Sequence, residues 1–241
     1  MSPEAVQALA RGLFPAGVAV AAADPRAPAS GLFGEEAAAV ARAVEPRRRE
    51  FAAGRRAARA ALASLGIAPA AIPMGADRAP VWPAGAVGSI SHTAPRPGAT
   101  GPAACAAAAA RADAFGALGL DVEGAAPLAP ALRAQILVPA EAEALEARPE
   151  AERGRLAKLI FCAKECAYKA QYPLTGALFG FEGMRIDWSF APDGRMGRFA
   201  AVFLRPAGAF APGDRLEGRF AFAGGLVAAG IALRQAPVSR R

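Results

Sequence analysis

Alanine occupies 68 of the 241 positions, and no other feature limits the fold so much. An apolar fraction of 54% normally promises a bulky core, but here much of it is methyl groups. Arginine shows a parallel bias, 25 Arg against 3 Lys, the skew of a G+C-rich coding background. Alanine runs therefore lose their usual weight as helix signals, and the elements have to be read from periodicity and from Gly and Pro punctuation. At this length the chain still buries a core as one large domain or two small ones.

Leu13 to Ala23 follows Arg11 and ends in an AxA-like triplet, which raises a signal peptide. Glu4 spoils the basic n-region and Pro15 and Gly17 interrupt the apolar run, so a buried strand entered through a turn is the better reading. Glu35 to Leu65 is helical, punctuated at Pro46, with Phe51, Ala58 and Leu62 on one face and Gly66 closing it. The opposite face carries Arg47, Arg48, Arg55, Arg56 and Arg59, either a solvated surface or an anion site. Residues 66 to 102 read as loops around a short strand, Ala86 to Ser91. Ala103 to Arg111 stays open: propensity favours helix, but its shortness and the nearby segment Gly119 to Glu123 allow a β-hairpin. Ala140 to Ala151 and Arg153 to Gln171 read as helices, the second ended by Pro173. From MRIDWSF onward, apolar and aromatic runs alternate with Gly and Pro turns, hence strands. The order shows no regular βαβ period, which gives an α+β fold rather than a doubly wound sheet.

Cys105, Cys162 and Cys166 form no CxxC pair and leave an odd thiol, so a cytoplasmic, reducing compartment is expected. No window approaches the ~20 uninterrupted apolar residues of an integral membrane segment. His92 is the only histidine, which excludes multi-histidine metal sites. The chain also lacks a Walker A loop, a GxGxxG and a GxSxG.

Three stretches carry chemistry. Asp121 and Glu123 stand at i and i+2, so on a strand both carboxylates share a face, as an exposed edge or as ligands of a hard cation such as Mg2+. Phe161 to Ala170 places Phe161, Glu165, Tyr168 and Lys169 near one helix face, where Glu165 and Lys169 have the spacing of an ordinary ion pair. Lys164 and Lys169 nevertheless survive where nearly every other cation is Arg, which suggests that a compact, proton-exchangeable charge is needed there. Arg78 to Pro83 leads into Gly88-Ser89-Ile90-Ser91-His92-Thr93, whose hydroxyls, backbone N–H groups and imidazole can all donate to phosphate.

Taken in order, FAAGRRAARAAL, PVWPAGAVGSISHT, GLDVE and FCAKECAYKAQYP resemble the Sfp-type 4′-phosphopantetheinyl transferases, most closely the branch typified by the enterobactin-synthase component D enzyme. The resemblance spans about residues 47 to 173. It implies a monomer of two similar α+β halves related by a pseudo-twofold, divided here as residues 1–116 and 117–241, with coenzyme A in the cleft between them. It also implies transfer of 4′-phosphopantetheine from coenzyme A to a serine of an apo acyl or peptidyl carrier protein, releasing adenosine 3′,5′-bisphosphate. By position, Asp121, Glu123 and Glu165 match the Mg2+ ligands, Lys169 the lysine at the pyrophosphate, and Glu165 or a water it orients the base. Ser91 and His92 match the 3′-phosphate neighbourhood. Arg47, Arg55, Arg59, Arg78 and Lys164 match further coenzyme A-binding positions. Phe161 stands where many relatives carry Trp, the loop Thr93 to Pro102 is unusually Pro-rich, and the turn region Arg111 to Leu118 is long.

The chemistry is coherent on its own terms, since a diphosphate and a distant 3′-phosphate call for a cation at one end and Arg and His at the other. A net charge of +7 suits an acidic carrier protein as partner. Two alternatives stand beside it. One is another coenzyme A- or nucleotide-using transferase on the same scaffold. The other is a basic nucleic-acid-binding protein, which explains the charge but leaves three acidic residues unaccounted for, so no nucleic-acid partner is expected.

Overall fold

The computed structural model describes residues 1–95 and 100–235; part of the Pro-rich loop, residues 96–99, lies outside them. The chain opens with helix α1 (Pro3–Arg11), started by Ser2, whose hydroxyl accepts from the Ala5 N–H. Ser2, Pro3 and Glu4 form a start signal and Val6 and Ala10 share the buried face, so this helix was legible in the sequence although it was not expected there. Strand β1 (Val18–Ala22) follows, entered through the expected turn, with Gly17 at φ +92°. Two helices come next, α2 (Gly34–Ala39) and α3 (Glu45–Ser64). Pro46 lies in the first turn of α3, where its missing N–H is needed by no helical carbonyl, so it begins the helix rather than breaking one. Phe51, Ala58 and Leu62 are buried on one face as expected.

Strands β2 (Ala86–Thr93), β3 (Ala104–Arg111) and β4 (Phe115–Gly124) settle the ambiguous alanine run as strand. β3 is the centre of a three-stranded antiparallel sheet, order β1-β3-β2. Ala104 to Ala110 are all buried, Ala107 and Ala109 against α3 and Ala106, Ala108 and Ala110 against α1 and β4. Propensity loses here because both faces of the strand are covered at close range, which only small side chains permit. The possible hairpin between β3 and β4 does not form. β4 leaves for a second sheet.

That sheet has the order β4-β8-β7-β6-β5, all antiparallel, with β5 (Met184–Phe190), β6 (Met196–Phe203), β7 (Arg215–Ala223) and β8 (Leu226–Arg234). Between β4 and β5 lie α4 (Pro130–Ile136), which the sequence reading missed, α5 (Pro139–Glu146) and α6 (Glu150–Thr175). The break between the last two comes at Pro149, the N-cap of α6, not after Ala151. Pro173 does not end α6 either. It sits in the last turn, and the helix stops at Gly176, whose φ of +64° turns the chain into the left-handed region.

The two sheets meet along β2 and β4, and side chains join them. Buried Ser89 accepts from the Leu120 N–H at 3.0 Å and buried Ser91 from the Val122 N–H at 3.0 Å. Each half carries one long helix on its sheet, α3 on the first and α6 on the second. A third core, with Val6, Phe14, Ala108, Leu118, Leu120 and Ala228, is shared between the halves.

Glu36 shows how loops are pinned onto α3. It is fully buried, accepts from the Phe33 and Ile72 N–H groups, and takes two bonds from Arg59 Nη1, at 2.6 and 2.9 Å. Removing one partner of a buried pair strands the other charge, at a cost of about 3–5 kcal/mol. Arg59→Met is therefore expected to lose stability in that range by urea unfolding. A loss below about 1 kcal/mol would show that the carboxylate is solvated.

Candidate active site

The site is assembled where α6 crosses β4. At Gly119 the Cys166 carbonyl of α6 takes the place of a side chain, since a Cβ there would overlap it. Helix and strand backbones therefore touch, and residues two and four further along β4 on the same face, Asp121 and Glu123, come under the helix. From α6, Glu165 and Lys169 descend on the same side.

Asp121 is 3% exposed, and its Oδ1 accepts from Lys169 Nζ at 2.7 Å and Ser91 Oγ at 2.9 Å. Lys169 also donates to the Leu120 carbonyl at 3.3 Å. Burial would drive its ammonium down, but the Asp121 carboxylate outweighs that and holds it above the usual lysine range. The other oxygen of Asp121, Oδ2, is the one buried side-chain polar atom among the described residues with no hydrogen-bond partner. Such orphans are rare in native interiors and point to a group that binds there. The ordinary i, i+4 pair that the spacing of Glu165 and Lys169 allows is not made; the lysine reaches across to β4, where a buried carboxylate offers a stronger partner.

Glu123 lies 3.7 Å from Lys158 Nζ. Burial, and then the neighbouring Asp121 charge, push its carboxyl up to about 7. Glu165 is raised for the same two reasons. Three carboxylates thus feel one another across the α6–β4 junction. As they stand, no three His, Cys, Asp or Glu side chains close around a single point among the described residues. The donor set still suits a hard divalent cation, which prefers carboxylate oxygens and would relieve both the orphaned Oδ2 and the mutual repulsion. All three cysteines are buried and free, and burial holds the Cys105 thiol up at about 12, so none supplies a thiolate.

A cleft of about 650 Å³ opens beside Lys169, walled by the turn Asp77–Trp82, by Gly88 to Ile90 of β2 and by Tyr168, Tyr172 and Pro173 of α6. The Tyr172 hydroxyl donates to Asp77 Oδ2 at 3.0 Å across it, a contact the sequence could not show without knowing that these segments face each other. Arg78 lines the same cleft with its backbone at φ +69°, a conformation bulky residues adopt only when the surrounding turn enforces it. A smaller cavity of about 270 Å³ lies on the other side of Tyr168, lined by Glu165, Phe179, Phe181 and Met184.

Further along β2, His92 faces α3. Its Nε2 lies 2.9 Å from Arg47 Nη1 and 3.1 Å from Glu50 Oε2. Burial, against the pull of Glu50, lowers the imidazole below its ordinary range. The other arginines of α3 are engaged with the protein. Arg55 is buried, bonds the Ile72 carbonyl at 2.6 Å and stacks on Phe51, and burial brings its guanidinium down to about 10. Arg56 binds the Pro28 and Ser30 carbonyls, and Arg59 holds Glu36. The basic face of α3 beyond its first turns is therefore largely tied to the protein's own carbonyls and carboxylates. Lys164 also turns away from the cleft: it is buried on Glu141 at 2.8 Å and donates to the Ile136 and Phe181 carbonyls.

Of the residues singled out from sequence, the fold brings together Asp121, Glu123, Glu165, Lys169 and Ser91, sets Arg47 against His92, and lines the cleft with Arg78. It does not bring Arg59 or Lys164 to the cleft. Glu50 and Asp77 were missed, although Glu50 stands at i+3 from Arg47, a spacing that shares a helix face.

Residues 35–100 match a family model described as the 4′-phosphopantetheinyl transferase N-terminal domain, and residues 117–208 one described as the 4′-phosphopantetheinyl transferase superfamily. The chain is 42% identical over 216 residues to the 4′-phosphopantetheinyl transferase Svp of Streptomyces mobaraensis, covering 87% of this chain and 81% of that protein. It is 36% identical to Npt of Nocardia iowensis (80% and 85% covered) and 37% identical to PptT of Mycobacterium tuberculosis (83% and 85%), both named 4′-phosphopantetheinyl transferases.

The raised Glu123 carboxyl has a thermodynamic consequence. The folded chain keeps this proton where the unfolded chain has lost it, so the contribution to stability is complete below 4.5 and disappears as pH rises through about 7. Glu123→Gln lacks that titration. Measured by urea unfolding with a chelator present, the variant should gain on the wild type by up to about 3 kcal/mol between about pH 5 and pH 8. A pH-independent difference would show that Glu123 is not desolvated in this way.

Proposed function

The chain belongs to the 4′-phosphopantetheinyl transferase superfamily, and from that premise we propose how its own residues carry out the transfer. It is an enzyme that moves 4′-phosphopantetheine from coenzyme A to carrier proteins. The observation that supports the site assignment best is the meeting of Asp121 and Glu123 with Glu165 and Lys169 beside a cleft whose β2 wall leads to His92 and Arg47.

In this reading coenzyme A lies along the cleft, its 3′-phosphate toward Arg47 and His92 and its diphosphate toward Lys169. Arg78 borders the nucleotide, while Arg55 and Ser91 support the site from behind, one under α3 and the other on Asp121. Asp121, Glu123 and Glu165 would hold Mg2+, which when bound neutralises charge on the diphosphate. Glu165, raised by burial, is suited to take the proton of the carrier serine directly or through a water it orients. The serine oxygen forms a bond to the phosphorus bearing pantetheine, and the bond from that phosphorus to the bridging oxygen breaks. Adenosine 3′,5′-bisphosphate departs with the electron pair. Lys169, fixed on Asp121, stabilises the developing negative charge, and fixed geometry does much of the rest. The expected division at residues 116 and 117, the monomeric state and the cytoplasmic location belong to the same proposal. No helix among the described residues is long and apolar enough to cross a membrane.

Incubation of an apo carrier protein with coenzyme A and Mg2+ should add one phosphopantetheine by mass spectrometry. No increment on any of several carriers would overturn the reading. Asp121→Asn and Glu165→Gln should each lower the transfer rate by at least about 100-fold while unfolding cooperatively. Lys169→Arg keeps the charge but not the compact ammonium, and should slow turnover by about 10-fold or more. Near wild-type rates in these variants would remove the metal-site and lysine assignments.

A further inference from the structure

Among the described residues, Glu50 is the one acidic group in contact with the pair assigned above to the 3′-phosphate. Its Oε2 is 3.1 Å from His92 Nε2 and 3.4 Å from Arg47 Nη1, while those two nitrogens are 2.9 Å apart. The Glu50 side chain is 21% exposed, so this contact is not a loose surface pair.

The Arg47–His92 contact and the His92–Glu50 contact cannot both be hydrogen bonds at once. With Nε2 bare, Arg47 donates to the ring, and Oε2 faces a lone pair. With Nε2 protonated, the ring donates to Glu50, and Arg47 must turn away from it. A single anion placed between them accepts from both, and that place belongs either to the carboxylate or to an incoming phosphate. Lys169, whose charge also reaches His92, and Arg55, which sits about two helical turns beyond Arg47 and feels its charge, add positive potential around the subsite. Glu50 is the negative counterweight.

We propose that Glu50 weakens the grip of this subsite on the 3′-phosphate by competing with it for Arg47 and His92. The inference rests on the phosphate assignment made above. A carboxylate that already occupies both groups excludes weakly binding monoanions. A phosphate dianion, with three acceptor oxygens and twice the charge, displaces it. The exchange costs coenzyme A part of its affinity, whereas dephospho-coenzyme A, with no 3′-phosphate, leaves Glu50 undisturbed. The same competition lowers the affinity for the product adenosine 3′,5′-bisphosphate, which carries the same phosphate, and so speeds its departure.

The test is titration calorimetry of the full chain with coenzyme A, dephospho-coenzyme A and adenosine 3′,5′-bisphosphate. Glu50→Gln keeps the shape and removes the charge. It should tighten coenzyme A and the bisphosphate by about 10-fold and leave dephospho-coenzyme A within about 2-fold of wild type. Glu50→Asp, which draws the carboxylate back, should give an intermediate gain and keeps the test available should the glutamine variant fold poorly. Equal weakening of all three ligands, or no change in the ratio of coenzyme A to dephospho-coenzyme A affinity, overturns the proposal and leaves Glu50 as a structural support. Arg47→Ala and His92→Gln separate this from failure of the underlying assignment. If they collapse that ratio while Glu50→Gln does not raise it, the competition alone is wrong. If they leave the ratio unchanged, the 3′-phosphate does not bind here and both readings fall.

Discussion

Helix α6 rests on strand β4 with no side chain between them at Gly119, and the site depends on that contact. A helix held a normal distance from a sheet would leave Lys169 short of Asp121 and Glu165 far from Glu123. Backbone contact instead drives three carboxylates and one ammonium into a shared, poorly solvated space. There the ammonium is held charged and two of the carboxyls are pushed toward neutrality. The reactivity of the site is thus set by packing before any substrate arrives, and a methyl group at position 119 would push the helix outward and undo it.

How much of this could be read beforehand depended on whether a residue acts through its neighbours in sequence or in space. The i, i+2 carboxylates of β4 and the stripe on α6 were legible, because strand and helix periods alone put them on common faces. The character of the alanine run in β3 was not, because what makes it a strand is coverage by α3 on one side and by α1 and β4 on the other. An ordinary pair along its own helix was one of two readings for Lys169, which instead pairs across to Asp121. Arg59 and Lys164 looked like ligand-binding cations, and each has a buried glutamate, Glu36 or Glu141, that no local spacing connects to it.

Charge is distributed with the same logic. A net charge of +7 invites the picture of a uniformly basic surface, yet the arginines of α3 divide sharply in role. Arg56 and Arg59 fasten the segment between β1 and α3 onto the helix, and Arg55 holds the chain at Ile72. Arg47, near the start of the helix, is left facing His92. One helix therefore serves as scaffold over most of its length and as recognition element at one end.

The seam between the halves has a mechanical character of its own. Along β2 and β4 the joint is made by two serine hydroxyls, not by paired peptide groups. A hydroxyl can accept from one group and donate to another at the same time, and Ser91 does so, taking the Val122 N–H and giving its own proton to Asp121. One rivet thus fastens two plates and aims the acid that lies between them.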